Sequence, residues 1–227
     1  MNLRICITTC FLLFITCVKG QELNITNDIK KFRNSIKQDA NNELVLLKKI
    51  IPTAVMDIRY ATTNNFTGEI LYEPEFELYV RKPVAEALKK VQSTFFDKGF
   101  GIKIFDAYRP YSVTVKMWKL IGDERYVANP AKGSGHNRGI SVDLTLIELA
   151  TGNELDMGTG YDHFSDTAHH SFEHLPLNIL ENRQLLKKTM ESHGFKALET
   201  EWWHYHFIWP KSFDVMNLKA RQLQRMH

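Results

Sequence analysis

The sequence predicts a mixed fold of helices and strands in one chain, and three stretches carry that prediction. Val84, Leu88, Val91 and Phe95 make one apolar stripe at helical spacing, with Pro83 at its start and Gly99 just past its end. Residues 140–146 alternate Ile140, Val142, Leu144 and Leu146 with Ser141, Asp143 and Thr145, the period-two pattern of a half-buried strand. Residues 202–208 alternate again, with His204 and His206 on one face and Trp203, Tyr205 and Phe207 on the other. Periodicity alone takes the prediction no further than mixed α and β.

Residues 1–20 read as a secretory leader to be set aside from the fold. Arg4 precedes an apolar run over residues 5–18, and Val18, Lys19 and Gly20 lead to a cleavage point before Gln21. Spanning a bilayer takes about 20 apolar residues, so the run is too short to serve as an anchor. The expected product is one domain over residues 21–227, secreted or periplasmic, with no stable membrane association. All three cysteines, Cys6, Cys10 and Cys17, lie in the leader, which leaves the rest without disulfides or thiolate ligands. Cys17 could carry a lipid only in spite of Thr16, which is not the small residue such sites use. Loss of Arg4 and Lys19 lowers the formal charge from +3 to +1, a balance that excludes a nucleic-acid partner.

Ile29, Phe32 and Ile36 predict a short amphipathic helix within residues 27–47, and Lys48 and Lys49 read as the solvated side of an element. Residues 57–68 read as a strand ending in a turn, and Asn24 and Asn65 stand in N-x-T triplets. After the stripe of residues 84–95, Ile102 and Ile104 alternate with Lys103 in a strand that leads to Asp106, Ala107, Tyr108, Arg109 and Pro110. The next helix is expected to take Ser112 as its N-cap and to turn Val113, Met117 and Ile121 inward. Residues 151–153 read as a hairpin turn, and residues 157–166 as a glycine-rich loop centred on Asp162. His169 and His170 are neighbours and so diverge on a helix or a strand; both cannot bind one metal. Residues 178–193 predict a helix closed by Gly194, from which Phe195 leads through a turn into the last long strand. Residues 216–227 show no pattern that places them.

The chemistry-bearing residues cluster around two of these strands. His136 and Asp143 flank Gly139, and Glu201 stands three positions before His204. Catalytic zinc takes three protein ligands and keeps its fourth position for water, so His136, Asp143 and His204 could fill the shell and leave Glu201 as a base. His206, on the same strand face as His204, competes for the third place. Taken singly, a loop-capping histidine, a lysine-paired aspartate and a solvated glutamate would account for the same residues.

Taken together, Ser134, His136, Gly139 and Asp143, followed by Glu201, Trp202, Trp203 and His204, resemble the zinc D-alanyl-D-alanine dipeptidases of the VanX type. The likeness extends from about residue 57 to residue 214. It implies an α+β fold like that of the Hedgehog and D,D-peptidase proteins, with helices packed on one face of a small, mainly antiparallel sheet and zinc in a cleft on the other. It also implies one zinc ion per chain on His136, Asp143 and His204, with Glu201 as the catalytic base. By the same resemblance Arg109 faces the scissile carbonyl, Tyr60 and Asp162 hold the amino end of the substrate, and Ser134 lies near its carboxylate. The implied partner is a small D-dipeptide, D-Ala-D-Ala or a related fragment of peptidoglycan. Three alternatives stay open at this level. They are a D,D- or L,D-carboxypeptidase of the same fold, a noncatalytic Hedgehog-like zinc module, and a secreted binding domain without metal.

Overall fold

A computed structural model of the chain describes residues 23–226. The leader expected at residues 1–20, its cleavage point and the three cysteines lie outside the described residues. In chain order the elements are β1 (Ile25–Thr26), α1 (Ile29–Gln38), β2 (Leu44–Leu46), α2 (Leu47–Ile50), β3 (Val55–Met56), β4 (Tyr79–Arg81), α3 (Lys82–Phe96) and β5 (Phe100–Asp106). There follow α4 (Tyr111–Ile121), α5 (Gly135–Arg138), β6 (Ser141–Glu148), α6 (Leu177–Ser192), β7 (Phe195–Leu198), β8 (Glu201–Phe207), β9 (Val215–Met216) and α7 (Ala220–Gln224). Among the described residues no helix is long and apolar enough to cross a membrane.

The centre is a five-stranded sheet in the order β3-β5-β6-β8-β7, antiparallel except for the β3–β5 pair. The alternation in β6 decides its faces: Val142, Leu144 and Leu146 join Ile102, Ile104 and Tyr205 in one buried cluster with Val84, Leu88, Val91 and Phe95 of α3 and Leu186 and Met190 of α6. The helices therefore cover one face, as expected of the α+β class. Pro83 sits in the first turn of α3, where its missing N–H costs no hydrogen bond. A second apolar cluster gathers Phe32, Tyr60, Tyr72, Tyr108, Val113 and Met117, and the tail completes it. There β9 pairs with β1, Leu218 and Leu223 are fully buried, and the Tyr108 hydroxyl bonds both the N–H and the carbonyl of Leu218.

Several local expectations are corrected by contacts distant in sequence. Residues 57–68 are no strand: β3 ends at Met56, a 3-10 turn runs over Arg59–Ala61, and the loop after it is built on the Asn65 side chain. That amide donates to the carbonyls of Thr62 and Glu69 and accepts from the Thr67 N–H, so a side chain replaces the ladder a strand would need. Ser112 is not an N-cap, because α4 begins one residue earlier, and the Ser112 N–H is satisfied by Asn217 Oδ1 at 3.0 Å. Ile121 remains 38% exposed at the end of that helix rather than turning inward. The expected turn into the last long strand lies at residues 199–200, and residues 195–198 before it form a further strand, β7, paired with β8. The polar side of β6 is also buried, since Ser141, Asp143 and Thr145 lie under further chain.

His170 exposes an energetic consequence of this packing. Its Nε2 atom has no hydrogen-bond partner among the described residues, and its ring sits edge-on to Tyr205 at 6.4 Å. Burial, followed by the nearby charges of Lys187 and Arg183, moves its pKa from 6.5 down to about 4. The unfolded chain thus binds a proton first as pH falls, so this stability is full above pH 6.5 and is lost progressively towards pH 4. Urea midpoints measured between pH 7 and pH 4 should fall less steeply for His170→Asn than for the unaltered protein.

Candidate active site

Antiparallel register builds the centre of the site. Asp143 of β6 and His204 of β8 are direct cross-strand partners, which places both side chains on the face away from α3 and α6. Asp106, at the end of β5, is the partner of Asp143 on its other side, beyond an irregularity after Ile104. Three adjacent strands therefore line up Asp106, Asp143 and His204. His136 arrives from α5, a single turn closed at both ends. Ser134 and Asn137 form a capping box at its start, and Gly139, at φ 72°, reverses the chain at its end. Gly135 is needed for close approach, because a Cβ there would meet Ser141 Oγ at 2.0 Å and His206 Nδ1 at 2.6 Å.

Three atoms converge as a result. His204 Nδ1 lies 2.9 Å from Asp143 Oδ1, His136 Nε2 lies 3.3 Å from the same oxygen, and the two nitrogens are 3.2 Å apart. Zinc bonds of about 2.0–2.2 Å set tetrahedral ligand atoms roughly 3.3–3.6 Å apart, so the triangle is close to the size that zinc requires. Protonation suits a cation as well. His136 Nδ1 lies 2.7 Å from the Ala107 carbonyl, and donating there leaves the Nε2 lone pair facing inward. Burial would raise the Asp143 carboxyl, but the imidazoles of His136 and His204 hold it far below the usual range. Burial in turn lowers His204, which favours its neutral, ligating form. Among the described residues this trio is the cluster able to hold a metal ion. His206 is outside it, facing its own cross-strand partner Ser141, with Nδ1 at 3.2 Å from Oγ.

The other predicted residues line the same cavity of about 260 Å³. Glu201 is the first residue of β8 rather than part of the turn before it, and its Oε2 lies 3.9 Å from His204 Nδ1. Burial, with the charges of Asp143 and Asp162 behind it, pushes its carboxyl well above the ordinary range, which makes its carboxylate a stronger base than a free one. Arg109 is aimed by Asp106, whose Oδ2 accepts from Nε at 2.9 Å and from Nη2 at 2.7 Å. Asp162 adopts a left-handed φ of 59° and accepts the Tyr60 hydroxyl at 3.1 Å. Tyr60 thus holds Asp162, and burial plus the Asp143 charge raises that carboxyl to about 8. A cationic ligand group would relieve both causes. Ser134 spends its Oγ lone pair on the Asn137 N–H at 3.0 Å, yet a hydroxyl that accepts still has a proton to donate into the cavity.

Sequence reading passed over the groups that hold these residues in place. Asp106 is wholly buried between Arg109 and the Tyr72 hydroxyl, and Asn137 bonds the Arg109 carbonyl and the Thr114 hydroxyl. Asp106 had a signal, since an acid at a strand end three residues before an arginine is placed to orient it. Tyr72 had none, because its partner is 34 residues away.

A family model described as D-ala-D-ala dipeptidase matches residues 40–214. This chain belongs to that family. It is 34% identical over 174 residues to the D-alanyl-D-alanine dipeptidase of Escherichia coli K12, covering 77% of this chain and 89% of its relative. Against the protein of the same name from Enterococcus faecalis V583 it is 32% identical over 186 residues, covering 74% and 92% respectively. The family match begins at residue 40, ahead of the stretch near residue 57 where the resemblance first shows in the motifs.

For this dipeptidase-family chain, metal analysis of the purified protein should find one zinc ion per chain. His136→Ala, Asp143→Ala and His204→Ala should each empty the site. His206→Ala should keep its zinc, and loss of zinc from that variant alone would replace His204 as the third ligand.

Proposed function

We propose that this protein is a zinc-dependent dipeptidase that hydrolyses D-Ala-D-Ala or related D-dipeptides released from peptidoglycan, in a periplasm or outside the cell. The observation that carries the proposal is convergence: the His136, Asp143 and His204 triangle, the Glu201 carboxyl, the Arg109 guanidinium and Asp162 all face one small cavity. Its volume of about 260 Å³ is below the roughly 300–1,000 Å³ of drug-sized ligand pockets, in keeping with a very small substrate. The naming of relatives from Escherichia coli and Enterococcus faecalis as D-alanyl-D-alanine dipeptidases supports the same substrate. Placement outside the cytoplasm rests on the leader read at residues 1–20.

A zinc ion held by these three side chains would supply Lewis acidity, acidifying a water molecule and polarising the scissile carbonyl. Glu201 takes the proton of the attacking water on its carboxylate and passes it to the nitrogen of the leaving D-alanine. The new bond joins water oxygen to carbonyl carbon, and the bond that breaks is the amide C–N. Negative charge builds on the former carbonyl oxygen meanwhile, and Arg109, pinned by Asp106, is already oriented to meet it. Asp162, held by Tyr60, pairs with the ammonium end of the dipeptide. The Ser134 hydroxyl is placed to donate to its carboxylate end.

A carboxypeptidase needs room for peptide beyond the amino side of the cleaved bond. Phe66 and Tyr126 line the cavity, and both pack on Phe164, two residues beyond Asp162: Tyr126 stacks on it at 4.7 Å, and Phe66 meets it at a tilt of 60° and 5.1 Å. That wall, together with a carboxylate suited to a free ammonium, favours the dipeptidase.

Glu201→Gln should bind zinc and lose turnover, because an amide keeps the shape but cannot take the proton. Arg109→Ala should lower kcat by roughly a hundredfold or more, the usual cost of about 2.7–4 kcal/mol for one lost oxyanion donor. Among substrates, free D-Ala-D-Ala should be cleaved at least roughly thirtyfold better than its N-acetyl form, since an unpaired buried charge costs about 2–5 kcal/mol. A pentapeptide ending in D-Ala-D-Ala should also be poor, and faster cleavage of it than of the dipeptide would establish a carboxypeptidase instead.

A further inference from the structure

Asp143 has two carboxylate oxygens, and only Oδ1 faces the imidazoles of His136 and His204. Left alone, such a group can turn about its last torsion, exchange oxygens or chelate a cation through both. Here Oδ2 accepts the Tyr161 hydroxyl at 2.9 Å, whereas the nearest Arg109 nitrogen, at 3.9 Å, is beyond hydrogen-bond range. The tyrosine ring is itself clamped. Phe105 of β5 stacks on it at 4.7 Å and 28°, and Trp203 of β8 packs T-shaped against it at 5.6 Å.

Tyr161 belongs to the loop of residues 157–166, next to the residue that reads the ammonium end of the substrate. Asp162, with its left-handed backbone, lines the cavity, while Tyr161 stands outside the cavity lining and reaches Asp143 through its hydroxyl. The Tyr161 oxygen also lies 3.1 Å from the Tyr60 hydroxyl, which in turn bonds Asp162. A continuous polar chain therefore runs from Asp143 through Tyr161 and Tyr60 to Asp162.

We infer that Tyr161 is a positioning residue for the metal site: its hydroxyl holds Asp143 in the orientation that presents a single oxygen, and it ties the substrate-reading loop to the metal-bearing strand. The inference rests on the zinc reading of the His136, Asp143 and His204 cluster. Partners that orient a metal-binding side chain commonly contribute about 10–100-fold in metal affinity, a large effect for one hydroxyl.

The test is zinc affinity, measured by competition with a chromogenic chelator on the full chain, together with the visible spectrum of the cobalt-loaded protein. Tyr161→Phe keeps the ring stack and removes only the donor. It should release zinc to the chelator at roughly 10–100-fold lower chelator concentration and shift the cobalt bands, with the circular dichroism of the folded metal-free form unchanged. Phe105→Leu is the packing control, because it removes the stacked ring and leaves the hydroxyl; its zinc affinity should stay near that of the unaltered protein. Unaltered affinity and an unaltered cobalt spectrum in Tyr161→Phe would overturn the inference, and so would an equal loss in both variants, which would assign the effect to packing. Absence of zinc binding in the unaltered protein would instead bring down the metal site itself.

Discussion

The antiparallel pairing of β6 with β8 is the constraint on which the rest depends. It sets Asp143 opposite His204 and Val142 opposite Tyr205, so the same register that fills the core beneath α3 and α6 points two candidate ligands into the cleft. A slip of one residue would exchange the faces, burying the aspartate among leucines and turning Leu144 toward the cavity. Core and site are thus two sides of one alignment. The apolar burial on one face contributes the energy that holds the polar geometry on the other.

That polar geometry carries its own cost, because Asp106, Asp143, Glu201 and Arg109 are all nearly removed from water. Removal of one partner from such a set leaves an uncompensated charge in a poorly hydrated place. The structure meets the cost by pairing. Arg109 is shared with Asp106, Asp106 accepts the Tyr72 hydroxyl, and Asn137 joins the turn bearing His136 to the Arg109 carbonyl. The Arg109 N–H completes the stitch by donating to the His136 carbonyl. The turn bearing His136 and the segment bearing Arg109 are thus joined by two hydrogen bonds.

Carboxylates outnumber cations in this cavity, and that imbalance is informative. Asp162 and Glu201 are both pushed upward, first by burial and then by neighbouring acids. An excess of buried negative charge is relieved by positive ligands, and under the proposed function a divalent metal and a substrate ammonium would supply them where the acids gather. Most of these acids stand on strands, while the loop of residues 157–166 presents Asp162.

What the sequence determined by itself was whatever depends on period and on nearest neighbours. The stripe of α3, the alternation of β6 and β8, the bend at Gly139 and the stop at Gly194 are local properties, and each appears where the residues predict it. The motif around His136 and Asp143, with Glu201 and His204, was legible because so few residue types bind zinc and move protons. Tertiary structure alone decided which residues hold those groups in place. Asn217 capping α4, Tyr72 on Asp106 and Tyr161 on Asp143 are pairings across 105, 34 and 18 residues, and no local rule encodes a partner at such distances. The same reason explains the misread stretch after Asp57 and the missed β7. A strand is only half defined by its own residues; its hydrogen bonds belong equally to the neighbour that the fold brings alongside.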